Sequence, residues 1–357
     1  MKIAIISDVH LGRRSLRKTW PESNINAIEY EGYLQWKRVI NEVASSDADA
    51  LLVAGDLFHS SNPTSLALEN AISGISTFNE SGKKAIIIGG NHDSSLSNEI
   101  AKTHPFKNTG IFKNDNCSLV YDKIEFFDFD DCFIVAFPHF NISEENSKEK
   151  FDELVRETNL KIKRVKKKKI FLSHGVTKSW IQRFINKDDD NIGVVFEDDF
   201  LNQFDYVVLG HIHEPFIQKV NNGIFKCKRI VPGSLMEDNT KVPAVLYLDT
   251  ESGDIARKEF ETIRVVKKNI DSVSDLENFL GEVAFNIYFI KFNGQWKDID
   301  LKLYNIAVKK ALYLNIQISS AERESKNVSS IQNFWDWVKS NCPQYTSEFK
   351  NIVKEEK

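Results

Sequence analysis

The chain is constrained most by a series of short apolar segments that each stop abruptly at a polar turn. Five of these segments lie at residues 2–7, 50–54, 85–88, 170–173 and 205–209. Segments this short, rich in valine and isoleucine and ended by glycine or a polar residue, predict buried strands. Apolar residues at helical spacing predict helices between the early strands, at residues 31–46 and 64–79. The chain is therefore predicted to begin as a βαβαβ series, with its functional residues at the carboxyl ends of the strands.

The later apolar segments have shorter turns between them and predict a second, more antiparallel sheet. They lie at residues 118–121, 124–129, 132–137, 216–219, 225–231 and 244–249. Two sheets flanked by helices predict an α/β fold built as a four-layer α/β/β/α sandwich.

The sequence pattern changes near residue 260, and this change divides the chain into predicted domains. Residues 1–260 are predicted to form the main domain, and residues 261–324 a small α+β cap domain. Within the cap, the pattern predicts helix, strand, helix and strand in turn at residues 273–281, 286–292, 299–311 and 312–318. Residues 325–357 are predicted to form C-terminal helices, because apolar and aromatic residues cluster at helical spacing before Pro343.

Composition limits the ways in which the protein could bind nucleic acid. The 357 residues carry a formal net charge of −4, so no global positive field attracts a polyanion. Local basic patches, metal ions or a partner would have to supply that attraction. The four cysteines are scattered without zinc-type spacing and are predicted to be small buried side chains. No segment has the apolar length of a signal peptide or a membrane span, so a cytoplasmic location is expected.

Polar motifs follow five of the predicted strands at the points where the strands end. They are Asp8-x-His10, Gly55-Asp56, Gly90-Asn91-His92-Asp93, Ser173-His174-Gly175 and Gly210-His211-x-His213. Each motif alone is more often a turn or a helix N-cap than a metal site. Six of the eight histidines, however, lie at strand ends, counting His59 just after Asp56, and histidine is not a preferred turn residue. The set predicts a metal centre, whose carboxylates, imidazoles and amide suit a pair of manganese, iron or zinc ions better than calcium.

The same motifs, in the same order, resemble those of the calcineurin-like metallophosphoesterase superfamily and, more narrowly, those of the SbcD-like DNA repair nucleases. Pro232-Gly233-Ser234 also matches the family pattern. The resemblance implies that one metal ion is held by Asp8, His10 and His213. It implies that the other ion is held by Asn91, His174 and His211. Asp56 would bridge the two ions.

The resemblance also implies catalytic roles for two further histidines. His92 would stabilise the transition state and protonate the leaving group, and His59 would orient the scissile phosphate. Asp93 is predicted to hold the His92 ring in one tautomer or to cap the next helix, and these two roles are compatible.

The residues after Asp56 favour a phosphodiester substrate. Phosphoprotein phosphatases of the superfamily place an arginine shortly after this aspartate, where it binds the two charges of a phosphomonoester. Here the residues are Ser60-Ser61-Asn62-Pro63, without an arginine. A diester carries one charge less and does not need that contact.

The resemblance implies a manganese-dependent double-strand exonuclease and single-strand endonuclease that acts with an SbcC-type ATPase. The cap would hold the duplex over the metals, unless it is an accessory domain without DNA contact. Two alternatives remain: a phosphodiesterase for small nucleotides, and a DNA-end scaffold with an inactive site.

Two further segments indicate contacts with DNA and with a protein partner. Four basic residues follow shortly after His10 and are predicted to contact backbone phosphates. They are Arg13, Arg14, Arg17 and Lys18. The lysine-rich run at 161–169 starts about 16 Å from the predicted metals and is predicted to be a solvated face. A C-terminal aromatic stripe is formed by Phe334, Trp335, Trp337 and Val338. The stripe is predicted to pack on the main domain or, as the resemblance implies, to bind the coiled-coil base of the ATPase. The resemblance also allows a homodimer.

Overall fold

The structure, a computed structural model, describes most of the chain up to residue 318. The described residues are 1–15, 19–20, 23–94, 104–107, 109–112, 116–140, 147–181, 194–221, 226–235, 242–263 and 265–318. The helices predicted at 325–357 lie outside this part of the chain.

Strands and helices alternate at the start of the chain, up to residue 88. In chain order the strands are β1 (Lys2–Ile6), β2 (Ala50–Val53), β3 (Lys84–Ile88), β4 (Cys117–Val120), β5 (Glu125–Asp128), β6 (Cys132–Phe137), β7 (Lys168–Thr177), β8 (Val194–Phe196), β9 (Tyr206–Gly210), β10 (Phe216–Asn221), β11 (Lys226–Val231), β12 (Ala244–Asp249), β13 (Ile255–Glu259), β14 (Val265–Ile270), β15 (Ile287–Phe292) and β16 (Tyr313–Ile318). The helices are α1 (Ala27–Ser45), α2 (Ser65–Glu80), α3 (Ser147–Ile162), α4 (Asp198–Leu201), α5 (Val273–Glu282) and α6 (Leu301–Lys310), with 3₁₀ turns at Lys178–Trp180 and Trp296–Asp298. None of these described helices has the length and apolar character that a membrane span requires.

The first sheet has the strand order β13-β12-β1-β2-β3-β4. Strands β1 to β4 are parallel, as expected for strands joined through α1 and α2, whereas β12 and β13 pair antiparallel at the other edge. The sequence pattern placed β4 and β12 in the second sheet, and that assignment is wrong. A single sequence indicates that a strand exists, but the sheet that it joins is decided by long-range pairing.

The second sheet has the strand order β10-β11-β9-β7-β6-β5, and β8 adds to β7. Four of its pairings are parallel and only the two edge pairings, β5 with β6 and β10 with β11, are antiparallel. The prediction of a more antiparallel second sheet is therefore wrong for its centre. Within this sheet, α3 and α4 provide crossovers between the central strands, which allows those strands to be parallel.

Three apolar clusters define the layers of this α/β fold. Ile5 and Leu52 of the first sheet meet Ile134 and Leu172 of the second sheet in a cluster between the sheets. A second cluster buries α1 and α2 against the outer face of the first sheet, and Trp36 is its largest fully buried side chain. A third cluster buries α3 and α4 against the second sheet. The layers therefore follow the order α/β/β/α, and the predicted α/β class is confirmed. Of the four cysteines, the three in the described residues are free and buried, as predicted.

A third, smaller sheet follows residue 260 and contains β14, β15 and β16, all parallel. Helices α5 and α6 pack on one of its faces. The sequence pattern indicated β15, β16 and both helices but not β14. Its central Lys267 and Lys268 interrupt the apolar pattern, and both are exposed. The division into domains at residues 260 and 324 stays a prediction.

Candidate metal centre

The polar motifs meet at one edge of the two stacked sheets, where β1, β2, β3 and β9 end and where β7 passes. Because parallel neighbouring strands end at the same edge, their following loops are brought together. The structure places all seven predicted ligands in this cluster. Four of them are almost fully buried, namely Asp8, His10, Asp56 and His174.

The backbone at this edge is strained at the predicted ligands. Among the described residues, the non-glycine residues with positive φ are Asp8 (50°), His10 (50°), Asp56 (52°) and His211 (90°). Such conformations cost about 1–3 kcal/mol each and persist where the surrounding structure requires them. All four are predicted ligands, which is the association expected of a functional site.

Hydrogen bonds between the loops hold this strained backbone in place. The amide of Asp8 donates to the carbonyl oxygen of Gly55 at 3.1 Å, and the amide of His10 donates to that of Asp56 at 3.0 Å. Gly90 lies so close to Asp56 that a β-carbon at position 90 would overlap the Asp56 carboxylate. The loops after β1, β2 and β3 therefore form one packed unit.

The first predicted ligand group contains Asp8, His10 and His213. Nε2 of His10 lies 3.1 Å from Nε2 of His213, which in turn lies 3.5 Å from Oδ1 of Asp8. Nδ1 of His10 is buried and has no hydrogen-bond partner. Two imidazole nitrogens and a carboxylate oxygen therefore converge, and the donor atoms of all three residues are close enough to hold one ion.

The second predicted group contains Asn91, His174 and His211. Nδ1 of His174 donates to the carbonyl oxygen of Ala54 at 2.9 Å, so Nε2 of the neutral ring carries no proton. Yet this Nε2 lies 2.8 Å from Oδ1 of Asn91. The same Oδ1 lies 3.3 Å from Nδ1 of His211. With the carboxamide in this orientation two acceptor atoms face each other, an arrangement that a second proton on His174 or a cation would stabilise.

Asp56 lies between the two groups. Its Oδ2 is 3.2 Å from Nε2 of His174 and 3.9 Å from Nε2 of His10. Its Oδ1 accepts a hydrogen bond from the backbone amide of His92 at 2.9 Å. One carboxylate oxygen is therefore directed at both groups, in the position of a bridging ligand.

The charges in the pocket also favour cations. Burial opposes the charged form of His174, but the carboxylates of Asp56 and Asp8 favour it more and raise the pKa of His174 to about 9. Burial favours the neutral carboxyl groups of Asp8 and Asp56, but neighbouring histidines outweigh it and hold both pKa values below the ordinary range. These residues therefore fit a pair of divalent cations, which when bound polarise a phosphate and lower the pKa of water.

Metal loading is expected to release about one proton at pH 7, because a ligand must be deprotonated to bind. The proton comes from His174, whose pKa is about 9. Burial lowers the pKa values of His10 and His211 to about 3 and about 4, so both rings are already neutral. Apparent Mn²⁺ affinity should rise from pH 7 towards pH 9. Calorimetric titration of metal-free protein in buffers of different ionisation enthalpy measures the proton count, and a pH-independent affinity over this range would contradict the prediction.

His92 and His59 line the same pocket beside the first ligand group. Nδ1 of His92 donates to the carbonyl oxygen of His59 at 3.0 Å, which leaves Nε2 as its other ring nitrogen. The two rings stack with centroids 5.4 Å apart, and the His92 ring meets that of His10 edge-on at 4.9 Å. Besides the first ligand group, two sets of donor atoms among the described residues lie close enough to hold an ion. One is formed by Asp8, Asp56 and His174, and the other, without a carboxylate, by His10, His59 and His92.

Asp93 does not contact the ring of His92, so its predicted role in fixing that tautomer is wrong. Its buried carboxylate accepts backbone hydrogen bonds from Leu57, Phe58 and Gly90, at 3.2, 2.7 and 3.0 Å. Asp93 thus joins the loop after β2 to the loop after β3. The helix that it was predicted to cap lies outside the described residues.

The predicted DNA contacts are described only in part. Arg14 donates through Nε and Nη2 to the buried carboxylate of Glu29, at 2.7 and 3.3 Å, so a phosphate would have to compete with this ion pair. Burial lowers the pKa of His59, and the nearby positive charge of Arg13 contributes to this shift. Arg17 and Lys18 lie outside the described residues, as do Phe334, Trp335, Trp337 and Val338.

Two residues near the centre were not assigned a role from the sequence. His139 follows β6 after one residue, donates its backbone amide to the carbonyl oxygen of Gly89 at 2.9 Å, and places its ring 6.1 Å from that of His174. Its position at a strand end is the signal that could have identified it. Ser234, assigned only to a matching motif, donates its hydroxyl to the carbonyl oxygen of Asp8 at 2.8 Å. It therefore supports the first ligand group.

Comparison with known proteins agrees with this arrangement. The sequence profile of the calcineurin-like phosphoesterase family matches residues 1–215. The chain is 24% identical to the DNA double-strand break repair protein Mre11 of Methanocaldococcus jannaschii, over 93% of this chain and 88% of that protein. It is 28% identical to the SbcD subunit of the SbcCD nuclease of Staphylococcus saprophyticus, over 60% of this chain and 57% of that protein. Because the matched region spans more than half of the 357 residues, the chain belongs to the calcineurin-like phosphoesterase family.

Proposed function

We propose that this protein is a metal-dependent DNA nuclease that hydrolyses phosphodiester bonds during the processing and repair of DNA ends. The observation that carries the proposal is the pair of acceptor-rich ligand groups joined by Asp56, with His92 held beside them. The names of its relatives, a break repair protein and a nuclease subunit, support DNA as the substrate.

The assignment of ligands is the one that the family resemblance implies, and the contacts at the site support it. Asp8, His10 and His213 would hold one divalent ion, and Asn91, His174 and His211 would hold the other. Asp56 would be shared by the two groups, because one of its carboxylate oxygens lies near both His10 and His174. Manganese suits this mixture of carboxylate, imidazole and amide ligands, and we propose it as the cofactor.

His92 acts as the proton donor in this proposal. Its Nδ1 is engaged with the carbonyl oxygen of His59, so Nε2 is the nitrogen that is left to meet the substrate. In the imidazolium form, Nε2 donates a hydrogen bond to the phosphate and its proton to the departing sugar oxygen. Water adds to phosphorus, the bond between phosphorus and that oxygen breaks, and a phosphomonoester and an alcohol are formed. The backbone carbonyl of His59 holds the His92 ring in this orientation, and the His59 side chain orients the scissile phosphate.

The finer features of the function are proposals that the family resemblance implies. We propose double-strand exonuclease and single-strand endonuclease activity, with an SbcC-type ATPase as partner through residues 325–357 and with residues 261–324 as a cap over the DNA. We further propose that Arg13 contacts backbone phosphates, that the protein works in the cytoplasm, and that it forms a homodimer.

Cleavage assays test the function. The full chain with Mn²⁺ is expected to degrade linear duplex DNA and to open single-stranded circles, and metal chelation should stop both reactions. A chromogenic phosphodiester serves as the reference substrate. Hydrolysis of that diester without cleavage of DNA, even after the ATPase partner is added, would refute the nuclease and favour a small-nucleotide phosphodiesterase.

A further inference from the structure

The sheet formed by β14, β15 and β16 leaves one face open. Parallel sheets are usually covered on both faces. Here α5 and α6 cover one face, where Tyr288, Ile290 and Phe292 are buried among apolar side chains. The other face forms a shallow groove with a volume of about 620 Å³. None of the described helices packs on it.

At one end of this face the row with Ile287 and Tyr313 packs on the main domain, and beyond it the exposed side chains form two rows across the strands. The first row, set by the strand register, is Lys267, Phe289 and Asn315. The next row is Asn269, Lys291 and Gln317. An aromatic ring therefore lies at the centre of the face, with two ammonium groups and three carboxamides around it. Phe289 is 38% exposed, unusually high for a large apolar side chain in a central strand.

The charge of this groove differs from that of the whole protein. The formal net charge of the chain is −4, yet two of the six side chains on the face are lysines and no acidic residue lines the groove. A local basic patch on an acidic protein is complementary to a polyanion. The three carboxamides can donate and accept hydrogen bonds, as base edges require.

We propose that this open face binds single-stranded nucleic acid, with an unpaired base stacked on Phe289 and the backbone phosphates near Lys267 and Lys291. A sheet with an exposed aromatic ring offers a stacking platform only to bases that are not already stacked in a duplex. The face therefore selects an unpaired strand rather than a double helix.

The position of the face relates it to the metal centre. The start of β15 packs on the main domain, where Ile287 is buried in the same cluster as Trp36. Nearby, the rings of Phe285 and Trp20 are 5.2 Å apart, and Trp20 lies on the segment that follows His10. Phe289 is two residues further along β15, about 7 Å beyond Ile287. The inference rests on the proposed function, because the open face would give the proposed nuclease a second site, outside the metal centre, for an unpaired strand.

Strand binding by metal-free protein tests the proposal. Fluorescence anisotropy of a labelled oligodeoxynucleotide with the full chain in EDTA should show single strands binding more tightly than the matching duplex. Phe289→Ala is expected to weaken single-strand binding roughly 5- to 150-fold, the range for loss of one stacked base. Leu301→Ala, which truncates an exposed apolar side chain on α6, should leave binding unchanged. Because no metal is present, an absence of nuclease activity would not affect this readout.

The two lysines are tested through the salt dependence of binding. Lys267→Ala combined with Lys291→Ala should lower the slope of log affinity against log salt by about 1.4 for a single strand. Lys302→Ala combined with Lys309→Ala, on the exposed side of α6, is the matched control and should not change the slope. The proposal is overturned if wild type does not bind single strands, or if Phe289→Ala or the Lys267/Lys291 pair binds as the wild type does.

Discussion

Replacing Asp56 with asparagine is expected to reduce DNA cleavage to background and to lower the metal content below two ions per chain. The carboxylate oxygen that lies near both His10 and His174 would lose its charge, and with it the attraction for both ions. Loss of groups that merely orient metal ligands already costs about 10–100-fold in metal affinity. Loss of a shared ligand should cost at least the upper end of that range. Elemental analysis and a cleavage assay measure the two effects.

Asp205→Asn is the control for this substitution. It removes the same charge at the opposite end of β9, where Asp205 accepts a hydrogen bond from the amide of Lys169. Its metal content and cleavage rate should match those of the wild type. Two bound ions in Asp56→Asn would exclude a bridging role for Asp56.

Replacing His92 with glutamine is expected to slow DNA cleavage by about 10²–10⁴-fold, the usual contribution of a general acid. Metal content should not change, because His92 belongs to neither proposed ligand group. The defect should depend on the leaving group. A diester that releases an acidic phenol needs no protonation of the leaving oxygen, so its hydrolysis should be much less impaired than that of DNA.

The leaving-group comparison separates two roles for His92. An equal loss on both substrates would mean that His92 stabilises the transition state without donating a proton to the leaving oxygen. A reduced metal content in His92→Gln would instead assign His92 to a metal site with His10 and His59, whose donor atoms also lie close together.

That polar motifs collect at strand ends could be predicted from the sequence because it depends on short-range rules, whereas the seven ligands themselves were assigned through the family resemblance. A buried strand is recognised from its apolar residues, and neighbouring parallel strands end at one edge. Asp8, Asp56 and His211 each follow such a strand directly or after one glycine. Motifs far apart in the chain could therefore be assigned to one site before any contact was known.

The errors have a common physical origin in long-range contacts. Asp93 was expected to bind its neighbour His92, but its carboxylate accepts the amide of Phe58 from another loop. The ion pair of Arg14 with Glu29, on the next helix, likewise joins two segments and was not expected, while the predicted contact of Arg14 with DNA stays a prediction. The centre of the second sheet is parallel because its strands pair across helical crossovers. None of these contacts can be predicted from the residues that lie next to Asp93, Arg14 or the central strands in the sequence.

Anomalous diffraction from crystals grown with Mn²⁺ tests the central claim most directly, because the proposed nuclease depends on a two-metal centre. We expect two manganese peaks about 3.5–4 Å apart. One should contact Asp8, His10 and His213, the other Asn91, His174 and His211, with Asp56 touching both. A single peak, or a second ion held by His59 and His92, would contradict a two-metal centre bridged by Asp56.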